Sequence, residues 1–146
     1  THTGIAQDNL PLEQVRSSEC LPFTAGIEAG AQAILVCHNI VSCMDGTLPA
    51  SLSPAVHQVL REELGFGGVV MTDDLVMQAI TDYTGDADAA VLAVQAGNDM
   101  LISSDFVTQY NAVLAAVQNG TISETAIRDS AVRVLRWKIE LGLIDS

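Results

Sequence analysis

The chain alternates short, wholly apolar runs with longer stretches whose apolar residues recur every three or four positions. Ala33-Ile34-Leu35-Val36-Cys37, the run at residues 68–72 (Gly68-Val69-Val70-Met71-Thr72) and Asp99-Met100-Leu101-Ile102 each read as a strand buried on both faces, as in a parallel sheet. Between them the pattern is helical. Ser53-Pro54 supplies an N-cap and a first-turn proline, and Val56, Val59, Leu60 and Leu64 then share one face. Ala90, Val91, Val94 and Ala96 mark a second helix, with Asp86 and Asp88 in its early turn, where carboxylates favour the macrodipole. Phe106 to Asn119 predicts a third. Ser123 caps a last helix whose buried face is expected at Ile127, Ala131, Val134, Leu135 and Ile139. Upstream, Pro11 to about Arg16 predicts a short helix and Cys20 to Glu28 another, with Pro22 in its first turn. Gly30, Gly65, Gly97, Gly120 and Gly142 fall where these helices should stop. Residues 1–10, 42–52 and 81–85 read as loops, and Leu75 to Ile80 as an added helical turn. Helices alternating with strands over short connections imply βαβ units and a parallel α/β fold.

Composition changes one part of that picture. Hydrophobic residues make up 49% of 146 and charged residues 16%, with a mean hydropathy of +0.32. So much apolar content with so little charge predicts surface that further chain or another subunit covers. The longest apolar runs fall far short of the ~18–20 residues of a membrane span. A net charge of −12, from 6 basic and 18 acidic residues, excludes the basic patch that nucleic acid or an anionic membrane requires. Cys20, Cys37 and Cys43 are an odd number and form no complete disulfide framework. Cys37, Cys43, His38 and His57 fit no standard zinc spacing, so the cysteines read as ordinary thiols. The chain begins at Thr1, without Met or a signal-like segment, on the polar stretch Thr1-His2-Thr3-Gly4, and is expected to be cut in a loop.

The candidate chemistry centres on residues 65–75. A glycine turn leads into the middle strand, which ends abruptly in Asp73-Asp74. Carboxylates at the carboxyl end of a parallel strand lie where barrels and open sheets place their reactions. Asp73 and Asp74 read as N-caps of the turn at Leu75, or else as a nucleophile, general base or metal ligand. His38 ends the preceding strand and should be their neighbour on the same rim, either as a packed residue or as a site group. His57, on the helix after Pro54, is expected at the surface. Asn119-Gly120-Thr121 reads as a helix C-cap in spite of matching a glycosylation sequon. Neither a serine triad nor a phosphate loop is present, because Gly65-Phe66-Gly67-Gly68 precedes a strand rather than following one.

Three runs carry a resemblance: residues 48–54 (Leu48-Pro49-Ala50-Ser51-Leu52-Ser53-Pro54), residues 60–66 (Leu60-Arg61-Glu62-Glu63-Leu64-Gly65-Phe66), and residues 68–77 with Asp73-Asp74-Leu75-x-Met77. Together with Leu21-Pro22-Phe23, Ala96-Gly97-x-Asp99-Met100-Leu101, Lys138 and Leu141-Gly142-Leu143, they make a chain that resembles glycoside hydrolase family 3 over its whole length. The nearest branch is the bacterial β-N-acetylglucosaminidases (β-hexosaminidases). The resemblance implies the carboxyl-terminal part of a TIM-type (β/α)8 catalytic barrel, about strands six to eight with their helices, with residues 1–10 as the remnant of a catalytic loop.

The resemblance further implies Asp73 as the nucleophile, Asp74 shaping the loop and local charge, and Met77 and His38 lining the substrate site. His2 resembles the acid/base histidine of an Asp-x-His loop; the aspartate that orients it would precede Thr1, as would the Lys-His-Phe-Pro-Gly-His-Gly-type sugar-binding segment. The reaction implied is retaining double displacement on a terminal β-linked N-acetylglucosamine of cell-wall or chitin-type oligosaccharides, with no metal or organic cofactor. A histidine acid/base suits near-neutral pH and tolerates an anionic acceptor such as phosphate in place of water. The alternatives are a β-glucosidase-like or phosphorolytic enzyme, or a non-catalytic half-barrel. The partners implied are the amino-sugar substrate and either a missing amino-terminal half-barrel or a second copy of the chain.

Overall fold

A computed structural model describes residues 5–77, 80, 83–84 and 86–145. In chain order the elements are β1 (Gln7–Asp8), α1 (Leu12–Gln14), α2 (Leu21–Glu28), β2 (Ala33–Val36), β3 (Ile40–Val41), α3 (Pro54–Gln58), β4 (Val69–Asp74), α4 (Asp86–Ala96), β5 (Met100–Ile102), α5 (Phe106–Gln118) and α6 (Glu124–Glu140). α1 and α3 each run on in a wider π-helical turn, Val15–Glu19 and Val59–Glu63. The three predicted strands form one parallel sheet in the order β2-β4-β5, pairing Ala33 with Val69, Leu35 with Met71, and Met71 with Met100. β4 is longer than its apolar run, taking in Asp73 and Asp74. β1, in a stretch that reads as loop, and β3, at residues to which the sequence assigned no element, form a separate parallel pair, Gln7 with Ile40 and Asp8 with Val41. Two-residue strands carry no periodicity to detect.

The two serine N-caps the sequence predicts are present, and Asp105 adds an unpredicted one, its side chain accepting from Thr108 N. Ser53 Oγ accepts from Val56 N and Ser123 Oγ from Ala126 N. Gly65 ends the α3 segment at φ +65°, a conformation that side chains disfavour. Gly68 is required for a different reason: a Cβ there would stand 2.4 Å from the carbonyl oxygen of Gln32, so only glycine lets β4 start beside β2.

The helices cover one face of the sheet. Ile34, Val36 and Val70 pack with Leu60, Phe66 and Ala50, and Leu75 and Leu52 pack with the alanines of α4, Ala89, Ala90 and Ala93. The register puts Leu35, Met71 and Met100 on the opposite face. That face is open: Leu35 is 50% exposed, and Ile102, two residues on from Met100, is 38% exposed.

Two expectations are corrected. His57 is buried, because α3 packs against α4 and its ring lies against the backbone at Gly97. Its Nδ1 donates to the carbonyl of Ser53 at 2.9 Å. Helix α6 does not bury the expected apolar face. Leu135 is 49% and Ile139 40% exposed, and Ile127, Ala131, Val134 and Leu135 border a concavity of about 490 Å³ facing Val94, Met100 and Leu101. Its polar positions make the specific contacts instead. Ser130 and Arg133 bind Asp99 before β5, Glu140 accepts from Gln32 before β2, and Trp137 lies beside Gly67–Val69. α6 therefore crosses beneath the amino ends of all three strands. Periodicity identifies an apolar face but not what covers it.

Asp99 is the centre of that lower edge. Its fully buried carboxylate takes Arg61 Nη2 at 2.6 Å and Val70 N at 2.9 Å on one oxygen, and Ser130 Oγ at 2.9 Å and Arg133 Nε at 2.8 Å on the other. Arg61 continues to the carbonyls of Phe66 and Gly68, with its guanidinium 5.6 Å from the centre of the Phe66 ring. Removing one member of a buried ion network strands the others. Asp99→Asn is expected to cost roughly 3 kcal/mol in urea unfolding, at the low end for such pairs because both arginines reach solvent. A loss within ~0.5 kcal/mol, ordinary for a surface substitution, would show that the hub is dispensable.

Candidate active site

The upper rim is assembled from the carboxyl ends of the same strands. β4 does not run evenly into it. Met71 pairs with Met100 and Asp74 with Ile102, so β4 advances three residues while β5 advances two. The extra residue is a β-bulge located where the carboxylates emerge, a device that re-aims side chains beside active sites. Thr72, fully buried, closes the gap by accepting Ile102 N on its hydroxyl at 3.1 Å, and Leu75 N resumes the ladder to the carbonyl of Ile102 at 3.0 Å.

The two aspartates are treated differently. Asp74 is tied to the far side of β5: its carboxylate accepts the Ser104 hydroxyl and, at 3.1 Å, the Ser104 amide, and it also accepts Val76 N at 3.0 Å. Burial alone would raise its pKa. The Ser104 and Val76 bonds outweigh burial and hold it below the ordinary carboxylate value, so Asp74 is a fixed anion. Asp73 is half-buried, and one of its oxygens accepts the amide of Asp74 at 2.8 Å. Among the described residues no other bond to its carboxylate is present. Met77 sits half-buried in the turn after β4, with its amide on the carbonyl of Asp74 at 3.1 Å.

His38 lies beneath the rim rather than on it. It is 6% exposed, with Nδ1 2.7 Å from Ser51 Oγ and Nε2 3.0 Å from the carbonyl oxygen of Asp74. Ser51 is fully buried, and its own carbonyl takes the side-chain amide of Asn98 at 2.7 Å. His2 lies outside the described residues. The carbonyl of Ala6 accepts Ile40 N, two residues beyond His38. Cys20 is buried, Cys37 exposed and Cys43 half-buried, all as free thiols, and no metal-ligating cluster occurs among the described residues.

Ser104, Ser51 and Thr72 are the polar residues to which the sequence assigned no role. Ser104 had one available signal, its place just after the third apolar run, on the same rim as Asp73. Ser51 and Thr72 act through packing that no spacing reveals.

The loop that supplies Ser51 has an anion of its own. Asp45 accepts Ser53 Oγ at 2.7 Å on one oxygen, and Thr47 N, Thr47 Oγ1 and Leu48 N on the other. Burial pushes its pKa up, but the bonds from Ser53, Thr47 and Leu48 prevail and hold it at about 2, against 3.8 for a free aspartate.

The chain belongs to glycosyl hydrolase family 3: residues 1–137 match the family model described as "Glycosyl hydrolase family 3 N terminal domain". That domain is an α/β glycosidase fold, as the parallel sheet and its helices are here. A "Beta-hexosaminidase" of Xanthomonas oryzae pv. oryzae is 38% identical over 103 residues, covering 70% of this chain and 30% of that protein. Another, from Methylococcus capsulatus, is 29% identical over 140 residues, 96% of this chain and 42% of its own. The chain thus spans well under half the length of these relatives. Among solved structures, a family 3 β-N-acetylglucosaminidase from Paenibacillus superposes with a TM-score of 0.88 at 38% identity, covering 94% of this chain and 27% of that one.

A folded-state pKa depressed below the unfolded value stabilises only above the unfolded value, and that stability disappears as pH falls through the folded one. Asp45→Asn should therefore be less stable than the parent by a constant margin above about pH 5, and the margin should shrink between about pH 4 and pH 2. Urea midpoints across that range test it; an unchanged margin at the acid end would sink it.

Proposed function

We propose that this chain is the carboxyl-terminal part of the catalytic barrel, about strands six to eight, of a retaining glycoside hydrolase that releases terminal β-linked N-acetylglucosamine from cell-wall or chitin-type oligosaccharides. The observation that carries the reading is Asp73: a half-buried carboxylate at the bulged carboxyl end of the middle strand, beside an anion, Asp74, already committed to Ser104. The barrel reading is supported by the open sheet face of Leu35, Met71, Met100 and Ile102, the side that a closed barrel turns inward. The names of the relatives favour an amino sugar.

In this mechanism Asp73 attacks the anomeric carbon and forms a glycosyl-enzyme while the leaving oxygen takes a proton from His2. His2 then deprotonates water, which displaces the Asp73 carboxylate with net retention. Asp74 keeps a negative charge beside the oxocarbenium-like transition state without competing as a nucleophile, because its oxygens are engaged. Met77 lines the sugar site. The apolar inner face needs the rest of a barrel, or a second copy of the chain, to complete the pocket.

A fluorinated N-acetylglucosaminyl fluoride, incubated with the full-length enzyme containing this sequence, should leave a sugar adduct on the peptide bearing Asp73, read by mass spectrometry. An adduct on another carboxylate would overturn the assignment. The 146-residue chain by itself is expected to hydrolyse an aryl β-N-acetylglucosaminide no faster than its Asp73→Asn variant; robust turnover by the isolated chain would contradict the half-site reading.

A further inference from the structure

The carbonyl of Asp74 takes two bonds, from Met77 N at 3.1 Å and from His38 Nε2 at 3.0 Å. A carbonyl oxygen only accepts, so Nε2 carries a proton. In the neutral ring Nδ1 is then an acceptor, and Ser51 Oγ, 2.7 Å away, must donate to it. The choice is built in from behind, since Ser51 is fully buried and its carbonyl is held by Asn98, which is itself 2% exposed and bound to the carbonyl of Ala93. The chain's other described histidine is fixed in the opposite sense: His57 Nδ1 faces the carbonyl of Ser53, so its proton is on Nδ1.

We infer that His38 is a positioning residue, locked as the Nε2–H tautomer by Ser51, that fixes the Asp74 peptide and through it the direction of the Asp73 carboxylate. This differs from a role in touching the sugar, for which both ring nitrogens would have to give up partners inside the protein. The bulge makes such a device necessary. Between Met71 and Asp74 the ladder to β5 shifts register, and the two bonds on the Asp74 carbonyl fix the residue whose amide holds the Asp73 carboxylate. The inference rests on the reading of Asp73 as nucleophile, and misplacing a reacting group by an ångström costs on the order of a hundredfold in rate.

Two measurements test it. In the purified chain near neutral pH, two-bond nitrogen–proton NMR correlations should show His38 protonated on Nε2 and His57 on Nδ1. A His38 protonated on Nδ1, or on both nitrogens, would overturn the inference whatever any variant does. In the full-length enzyme containing this sequence, His38→Phe, which keeps the ring but not the bonds, should lower kcat by about 10- to 100-fold while changing KM by less than about 3-fold. His38→Gln, which returns an amide donor toward the Asp74 carbonyl, should recover most of that loss. Full activity in His38→Phe, or a loss expressed mainly in KM, overturns the positioning role. If His38→Phe does not fold, His38→Gln and the tautomer decide the matter. Asp73→Asn separates the two readings. An inactive Asp73→Asn beside a fully active His38→Phe removes only the inference made here, whereas an active Asp73→Asn removes the nucleophile assignment beneath it.

Discussion

The buried Asp99 carboxylate is the constraint from which the rest of the architecture follows. Its two oxygens gather a guanidinium from the α3 segment, an amide from β4, and a hydroxyl and a second guanidinium from α6. A carboxylate removed from water is costly unless each of its acceptor positions is filled, so this geometry has little freedom. Satisfying it brings three elements to the amino end of the sheet and sets β4 against β5. The price of that order appears at the lower edge alone, which leaves the opposite ends of the strands free of any structural duty of equal weight.

Those free ends carry the second polar system, and its logic is different. Asp74, Ser104, His38, Ser51 and Asn98 link β4 to the loops after β2 and β5 through neutral and singly charged bonds. Buried polar groups of this kind add specificity chiefly because leaving any of them unpaired is expensive. Here they fix a backbone that the bulge would otherwise loosen, while among the described residues the Asp73 carboxylate takes one local bond. A stiff frame around one lightly held carboxylate is the arrangement expected where that carboxylate reacts.

The open apolar surfaces fit the same account. Leu35 and Ile102 on the sheet, and Phe106, Tyr110 and Leu114 along α5, are large side chains in contact with solvent. The low charge and high apolar content of the chain already predicted surface in want of cover. The sheet shows which part of that surface has a defined shape, the row of side chains opposite the helices.

What the sequence determined by itself was local. Apolar runs located the three main strands, serine and proline fixed helix starts, glycines fixed helix ends, and Asp73-Asp74 stood at the end of the middle strand because hydrophobicity stops there. Each of these depends on neighbours within a few residues, and so is written in the order of the chain. What only the tertiary structure decided was which polar groups meet. Asp99 lies 38 residues from Arg61 and 34 from Arg133, Asp74 lies 30 from Ser104, and His38 lies 36 from the carbonyl it holds. The same reason accounts for the two misreadings. His57 is buried because α3 packs against α4, far along the chain, and Ser130 and Arg133 of α6 are drawn to Asp99, 31 and 34 residues away. Periodicity can mark a face as apolar or polar, but the pairing of faces is a property of the folded chain.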